Sequence, residues 1–471
     1  MTVNKKSVRV IGVFTLAMIN VAAIASLRGL PSLAEYGLSS AFYYILAALV
    51  FLIPVSLVSA ELATGWPKRG GVFIWVKEAL GQRWGFLAIW LQWIQNVIWY
   101  PTILSFTAAT FAFIISPKLA SNPVYMVAVI LIVYWGSTLI NLRGMKLSGR
   151  ISSIGVIAGT LIPGAIIIAL GLTWIFSGAQ SQISFSWGEL IPDLSNIRNL
   201  ALVVMVLLGF AGMEMSAVHA QEVKDPQKEY PKAIFLSVGV ILTVLILATL
   251  AVAIVVPQGE ISLVAGVMQA FTDFFDAYNV PWLIPILAFM ITIGAIGQVV
   301  TWIAGPSKGL FATARHGELP PFFQKVNKNG VARNLLLAQG GIVTLLSLVF
   351  LLMPSVSSSY WILTALTAQL YLIMYILMFI SAIVLKYTKP NVKRAFMVPG
   401  GKIGMWVIAG IGFIAAIFGI TLGFLPPSQL DTGNILFFET FLVIGIIVMA
   451  GAPLLIHHFR KPKWISKKTK D

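Results

Sequence analysis

Ala25-Ser26-Leu27-Arg28-Gly29-Leu30-Pro31 and Leu208-Gly209-Phe210-Ala211-Gly212-Met213-Glu214 are the two stretches on which the fold turns. Each lies within a long apolar run, and each carries an ionisable group. Glycine weakens a helix and proline removes a backbone donor. Backbone left unpaired at the depth of a bilayer must be buried in protein or line a watery cavity. A single Gly or Pro is ordinary in a membrane helix. Two such breaks, each beside a charge, point to function.

Outward from these stretches the chain is divided into apolar runs near residues 9–34, 38–63, 84–115, 124–141, 152–177, 198–222, 232–256, 281–312, 334–354, 359–385, 403–425 and 435–458. Of the 471 residues, 58% are hydrophobic and 10% charged, against about 25% charged in soluble domains. A membrane helix needs roughly 20 apolar residues, so twelve spans use most of the chain. The runs are continuous rather than alternating, which excludes a transmembrane β-barrel. The expected class is an all-α integral membrane protein with 12 transmembrane helices. The breaks fall in spans 1 and 6. That offset of five is the one expected if spans 1–5 (9–177) and spans 6–10 (198–385) form an inverted repeat around a central site.

The net charge of +16 follows the same division. All but four of the 32 Lys and Arg residues fall on one side of a twelve-span arrangement. They include Lys5, Lys6 and Arg9, then Lys68, Arg69, Lys77 and Arg83, and so on through every second connection to the tail. The exceptions are Arg28, Lys118, Arg198 and Lys308. Excess Lys and Arg mark the cytoplasmic face, so both termini are expected in the cytoplasm, and the basicity reflects topology rather than nucleic-acid binding. The first run is too long for a signal peptide and lacks a cleavage pattern. Cysteine is absent, which removes disulfides and thiolate chemistry. The four histidines, His219, His316, His457 and His458, show no metal-ligand spacing with an acid, and GPSKG at 305–309 lacks the P-loop spacing. No cofactor or metal is expected.

Three segments carry a family resemblance: AELATGWPKRGGVFIWVKEALGQRWGFLAIWLQW at 60–93, GFAGMEMSAVHAQEVKDPQKEYP at 209–231 and GPSKGLFATARHGELPPFFQKVNKNG at 305–330. They resemble the amino acid–polyamine–organocation superfamily. The last two, with GVMQAFT at 266–272, Tyr371, Tyr375 and PGGK at 399–402, are most similar to the glutamate/GABA antiporters of bacterial acid resistance. The resemblance implies a LeuT-like fold of ten helices in two inverted repeats (5+5) with discontinuous helices 1 and 6, two peripheral helices at 403–458, and alternating-access exchange of small amino acids across a bacterial inner membrane. Three departures stand out. Arg28 replaces an uncharged tyrosine and Gln298 replaces a glutamate. The short basic tail, 459–471, expected to be disordered, replaces a folded plug at the cytoplasmic mouth.

The expected substrate-binding residues are Ala25, Ser26, Leu27, Arg28 and Gly29 in the first break. They continue with Gly209, Phe210, Gly212 and Glu214 in the second, and Gln298, Trp302, Tyr371 and Tyr375 on spans 8 and 10. Free amides at a broken helix end attract a carboxylate. Arg28 at mid-membrane costs about 2.5–3.5 kcal/mol on insertion scales. Three compensations are open to it: a fixed acid such as Glu214 or Glu61, a substrate carboxylate held by its planar fork, or snorkelling to the interface beside Glu35. Glu214 matches the family's glutamate and is the first candidate for a protonation-linked group. Tyr371 and Tyr375, four apart, share a helix face, and by resemblance line the outer vestibule and the site. Trp302 fits core packing as well as the site. Leu208, where arginine/agmatine exchangers carry a gating tryptophan, disfavours arginine as a substrate. Lys308 fits either an inner gate or snorkelling. A proton-coupled symporter for neutral amino acids and a channel are the alternative functions. Monomer and homodimer are both open.

Overall fold

The computed structural model describes residues 12–67, 70–143, 155, 157–192, 195, 197–216, 223 and 225–465. The N-terminal basic residues, Lys68, Arg69, Lys146, Arg150, His219, Lys224 and the tail beyond residue 465 lie outside them. The described residues are helical, with no β-strand among them.

Among the described residues, ten helices are long and apolar enough to cross a membrane. The first four are α3 (Gly37–Gly65), α5 (Gln82–Ile115), α6 (Pro123–Leu142) and α7 (Ala158–Phe176). Next come α10 (Pro226–Ala253), α12 (Pro281–Glu318) and α13 (Arg333–Leu351). Last are α14 (Val356–Thr388), α15 (Gly401–Gly423) and α16 (Ile435–His458). They match the expected spans 2–5 and 7–12. The runs at 9–34 and 198–222 are instead described as shorter pieces. These are α1 (Val13–Ile24) and α2 (Leu30–Ala34) in the first, and α8 (Val204–Phe210) and α9 (Met213–Ser216) in the second. Two further helices lie in the connections, α4 (Val72–Leu80) and α11 (Gly266–Ala277).

Burial decides which helices are central. In the apolar window of α5, and equally of α14, 72% of residues are buried, against 11% for α16. Helices that are apolar all round need either protein or lipid against every face. α5 and α14 therefore form the heart of the bundle, and α16 turns most of its surface outward. α5 packs along α12 and α14. Glycine permits the tightest approach: Gly294 of α12 lies against Gly159 of α7, and a Cβ on Gly294 would meet the Gly159 backbone at 2.5 Å. Small residues at such crossings let helix backbones pack directly in a bilayer.

Charges inside the bundle are paired across distant elements. Glu61 of α3 is buried and meets the Lys386 ammonium at 2.7 Å and the Arg394 guanidinium at 3.0 Å. It also accepts the Val398 N–H at 2.7 Å. The Arg394 guanidinium stands 5.3 Å over the Trp66 ring. Glu61 thus ties α3, α14 and the 389–400 loop together. At the opposite end Glu35, which follows α2, is buried and accepts the Gly259 N–H at 2.9 Å.

The tail departs from the expected disorder as far as residue 465. Pro462–Trp464 forms a short turn. The Trp464 carbonyl accepts from Gln324 Nε2 at 2.6 Å, and Ile465 packs against Gly317, where a Cβ would meet its side chain at 2.8 Å. A buried acid fixes the arrangement. Glu318 accepts from Gln82 and from Arg460 Nη1 at 2.7 Å, and its other oxygen meets His457 Nδ1 at 2.8 Å.

Candidate functional site

The two breaks meet at one cavity of about 360 Å³. α1 stops at Ile24, and Ala25 (φ −64°, ψ 116°) and Ser26 (φ −145°, ψ 135°) are extended. A short turn, Leu27–Gly29, then leads into α2. α8 stops at Phe210. Ala211 is extended (φ −72°, ψ 142°) and Gly212 has φ 119°, a conformation that needs glycine. The C-terminal ends of α1 and α8 carry partial negative charge, and the N-terminal ends of the segments that follow carry partial positive charge. The chain at both breaks, Ala25–Gly29 and Leu208–Ala211, borders the same space.

Of the expected residues, Ala25, Ser26, Arg28, Gly29, Leu208, Gly209, Phe210, Gln298, Trp302 and Tyr371 line the cavity. Leu27, Gly212, Glu214, Tyr375 and Lys308 do not. Leu27 is buried on a small neighbouring void with Ser26 and Gln298. Lys308 is exposed on α12 and does not line the cavity. Trp302 both lines the cavity and packs, its ring 6.0 Å from that of Trp99.

Glu214 lies behind the wall. Its side chain is buried and accepts the Tyr371 hydroxyl at 2.5 Å, Gln92 Nε2 at 3.0 Å and the Tyr375 hydroxyl. The Tyr375 hydroxyl in turn accepts the Gly212 N–H at 2.7 Å. Tyr375 thus supports the second break from outside the cavity, while Tyr371 reaches both Glu214 and the cavity.

None of the acids considered for Arg28 is its partner. Glu214 is held by tyrosines, Glu61 by Lys386 and Arg394, and Glu35 by a backbone amide. Arg28 Nη1 instead donates to Thr102 Oγ1 at 2.9 Å and to the Tyr360 hydroxyl at 3.3 Å. The guanidinium lies 5.8 Å from the Trp99 ring centre and 5.6 Å from that of Tyr360. Aromatic faces attract a cation, yet among the described residues no carboxylate neutralises this one. Nε and Nη2 make no hydrogen bond among them either, and Arg28 lines the cavity.

Sequence reasoning missed the wall that α5 supplies. Gln95, Asn96 and Trp99 line the cavity, with Gln92 behind them on Glu214. Their spacing of three, four and seven residues from Gln92 is a polar helix face, and it was readable from the sequence. Thr301 and Met205 also line the cavity. No group of three or more His, Asp or Glu residues is placed to hold a metal among the described residues.

A bundle of long apolar helices around a cavity bordered by two broken helices defines a polytopic membrane protein with a central cavity. The chain matches the amino acid permease family over residues 11–449 and belongs to it. It is 48% identical over 451 residues to an uncharacterized transporter of Legionella pneumophila, covering 95% of this chain and 97% of that protein. Two glutamate/gamma-aminobutyrate antiporters of Lactococcus lactis are 33% and 34% identical to it, over 96% and 98% of this chain and 91% and 92% of theirs. The chain is a transporter of the amino acid permease family, a multi-pass membrane protein whose relatives are named as carriers rather than enzymes.

Proposed function

We propose that the chain is an alternating-access antiporter that exchanges glutamate, or a related acidic amino acid, for an amino acid or its decarboxylation product such as GABA. The observation that carries this reading is Arg28. It is a cation on the cavity wall with no carboxylate beside it among the described residues, and with donors unused. Helix ends around Ala25–Gly29 and Gly209–Phe210 offer places for the α-carboxylate and the ammonium common to all amino acids. A second carboxylate on the substrate meets Arg28 through its planar fork. The names of the Lactococcus relatives, glutamate and gamma-aminobutyrate antiporters, agree with it.

In this reading the breaks are paired discontinuities of twelve spans. Residues 9–177 and 198–385 are inverted repeats of the LeuT kind, 403–458 are peripheral helices, and both termini face the cytoplasm of the bacterial inner membrane. The packing of α5 on α12, the third and eighth spans, supports the offset of five. Glu214 couples the second break to α14 through Tyr371 and Tyr375.

A second reading, a proton-coupled symporter for neutral amino acids, is favoured by one observation: Glu214, a protonatable acid, lies one hydrogen bond behind the cavity. Counterflow in proteoliposomes separates the readings. Vesicles loaded with unlabelled glutamate or GABA should accumulate labelled glutamate, and empty vesicles should not. Uptake into empty vesicles driven by a proton gradient would replace exchange with symport, and passive leak of label would indicate a channel.

A further inference from the structure

The start of α5 and the end of α16 meet around a second pocket of about 290 Å³, lined by Arg83, Leu454, Leu455, His457 and His458. Its lining mixes two kinds of side chain. Arg83 and two imidazoles bring polar groups to the lining, and two leucines bring apolar surface. Arg83 is exposed and makes no hydrogen bond or ion pair among the described residues. Arg460, close by in the chain, is already committed to Glu318 at 2.7 Å. His457 is held in place by the same buried acid: Nδ1 lies 2.8 Å from a carboxylate oxygen of Glu318. Beside the pocket Trp84 and Leu455 are exposed, as are Lys461 and Lys463. Exposed tryptophan beside cations is the pattern of a bilayer interface.

We propose that this pocket is a binding site for the phosphate of an anionic membrane phospholipid. The headgroup phosphate lies on Arg83 and His458, and an acyl chain covers Leu454 and Leu455. The leucines commit the site to lipid, because a free phosphate gains nothing from them, whereas a lipid buries both ends of its chemistry at once. Basic pockets between membrane helices on the cytoplasmic side suit such headgroups, and the pocket lies on the Lys/Arg-rich side of the chain. A lipid here bridges the peripheral α16 to α5, the helix that supplies Gln95, Asn96 and Trp99 to the central cavity. The site does not depend on which substrate that cavity takes.

The test uses the full chain in nanodiscs of phosphatidylcholine with or without phosphatidylglycerol, and native mass spectrometry to count retained lipid. Wild type should retain phosphatidylglycerol in preference to phosphatidylcholine. Arg83→Ala should lower that retention about fivefold, the effect of one cation near the surface, and Arg83→Glu should lower it further. Lys393→Ala, which removes an exposed cation elsewhere, should leave it unchanged. Equal retention in Arg83→Glu and wild type, or equal loss in Lys393→Ala, overturns the site. Arg83-dependent binding of inorganic phosphate in phosphatidylcholine discs, with no preference for phosphatidylglycerol, overturns the lipid as its ligand.

Discussion

The Tyr375 hydroxyl donates to the Glu214 carboxylate while accepting the Gly212 N–H at 2.7 Å. One oxygen thereby joins α14 to the break at 211–212 and to α9 just after it. Tyr375→Phe leaves the ring in its packing against Phe51, 5.2 Å away centre to centre, but strips the amide and one carboxylate oxygen of a partner. A buried group left unsatisfied costs about 1–3 kcal/mol. Exchange should fall in correctly inserted protein, and thermal stability should fall with it. Tyr371→Phe should impair exchange too, because it removes a hydroxyl from both Glu214 and the cavity. Wild-type exchange in both variants would mean that the tyrosines only pack.

Glu61 neutralises two buried cations, Lys386 and Arg394. Removing one partner of such a group leaves uncompensated charge and costs about 3–5 kcal/mol. Glu61→Ala should therefore lower the unfolding temperature in detergent sharply. Adding Lys386→Met should recover part of the loss, because the pair is coupled. A double variant no more stable than Glu61→Ala would show that Lys386 contributes little to this cluster.

Glu35, outside the spans, has its carboxyl pushed above the ordinary glutamate range by burial, with the Gly259 and Ile261 backbone amides pulling it partly back. A raised folded-state pKa means that the folded protein binds this proton more tightly than the unfolded chain. Its contribution is fully present below the ordinary glutamate value and is lost as pH rises through the folded one. Glu35→Gln keeps an acceptor for Gly259 and removes the titration. Wild type and variant should match in stability at acid pH, and the variant should become the more stable as pH rises across that window. Unfolding curves that stay parallel across it would exclude Glu35 as the source.

Ten spans were legible because hydropathy is local, and the breaks because glycine and a charge coincide in each. The cavity-lining role of Arg28 followed from its place in the first break. Its surroundings did not, because Thr102 and Tyr360 are 74 and 332 residues away in the chain. Lys386 and Arg394 illustrate a different failure. Counted among the cytoplasmic loop cations, they are buried partners of Glu61, 325 and 333 residues distant. Charge counting carries no information on depth. The amide face of α5 was the one avoidable omission, since Gln92, Gln95, Asn96 and Trp99 repeat at helical spacing inside an apolar run.

Arg28 carries the sharpest prediction. Its Nη1 is anchored by Thr102 and Tyr360, and two aromatic rings flank it. These neutral partners orient the cation but leave its charge intact. A substrate with a second carboxylate supplies the missing charge, whereas a neutral zwitterion does not. Arg28→Lys keeps the charge and loses the fork, so affinity for glutamate should fall while the protein still folds. Arg28→Gln removes the charge, and should cut glutamate transport by more than it cuts transport of neutral amino acids. The loss of a charge-assisted hydrogen bond is worth about 1.5–3 kcal/mol, or roughly ten- to hundredfold in the ratio of the two rates. The measurement is competition between labelled glutamate and labelled GABA or glutamine in the same proteoliposomes. An unchanged ratio in both variants would make Arg28 a structural cation held by Thr102, Tyr360 and Trp99, and the acidic-substrate reading would fall with it.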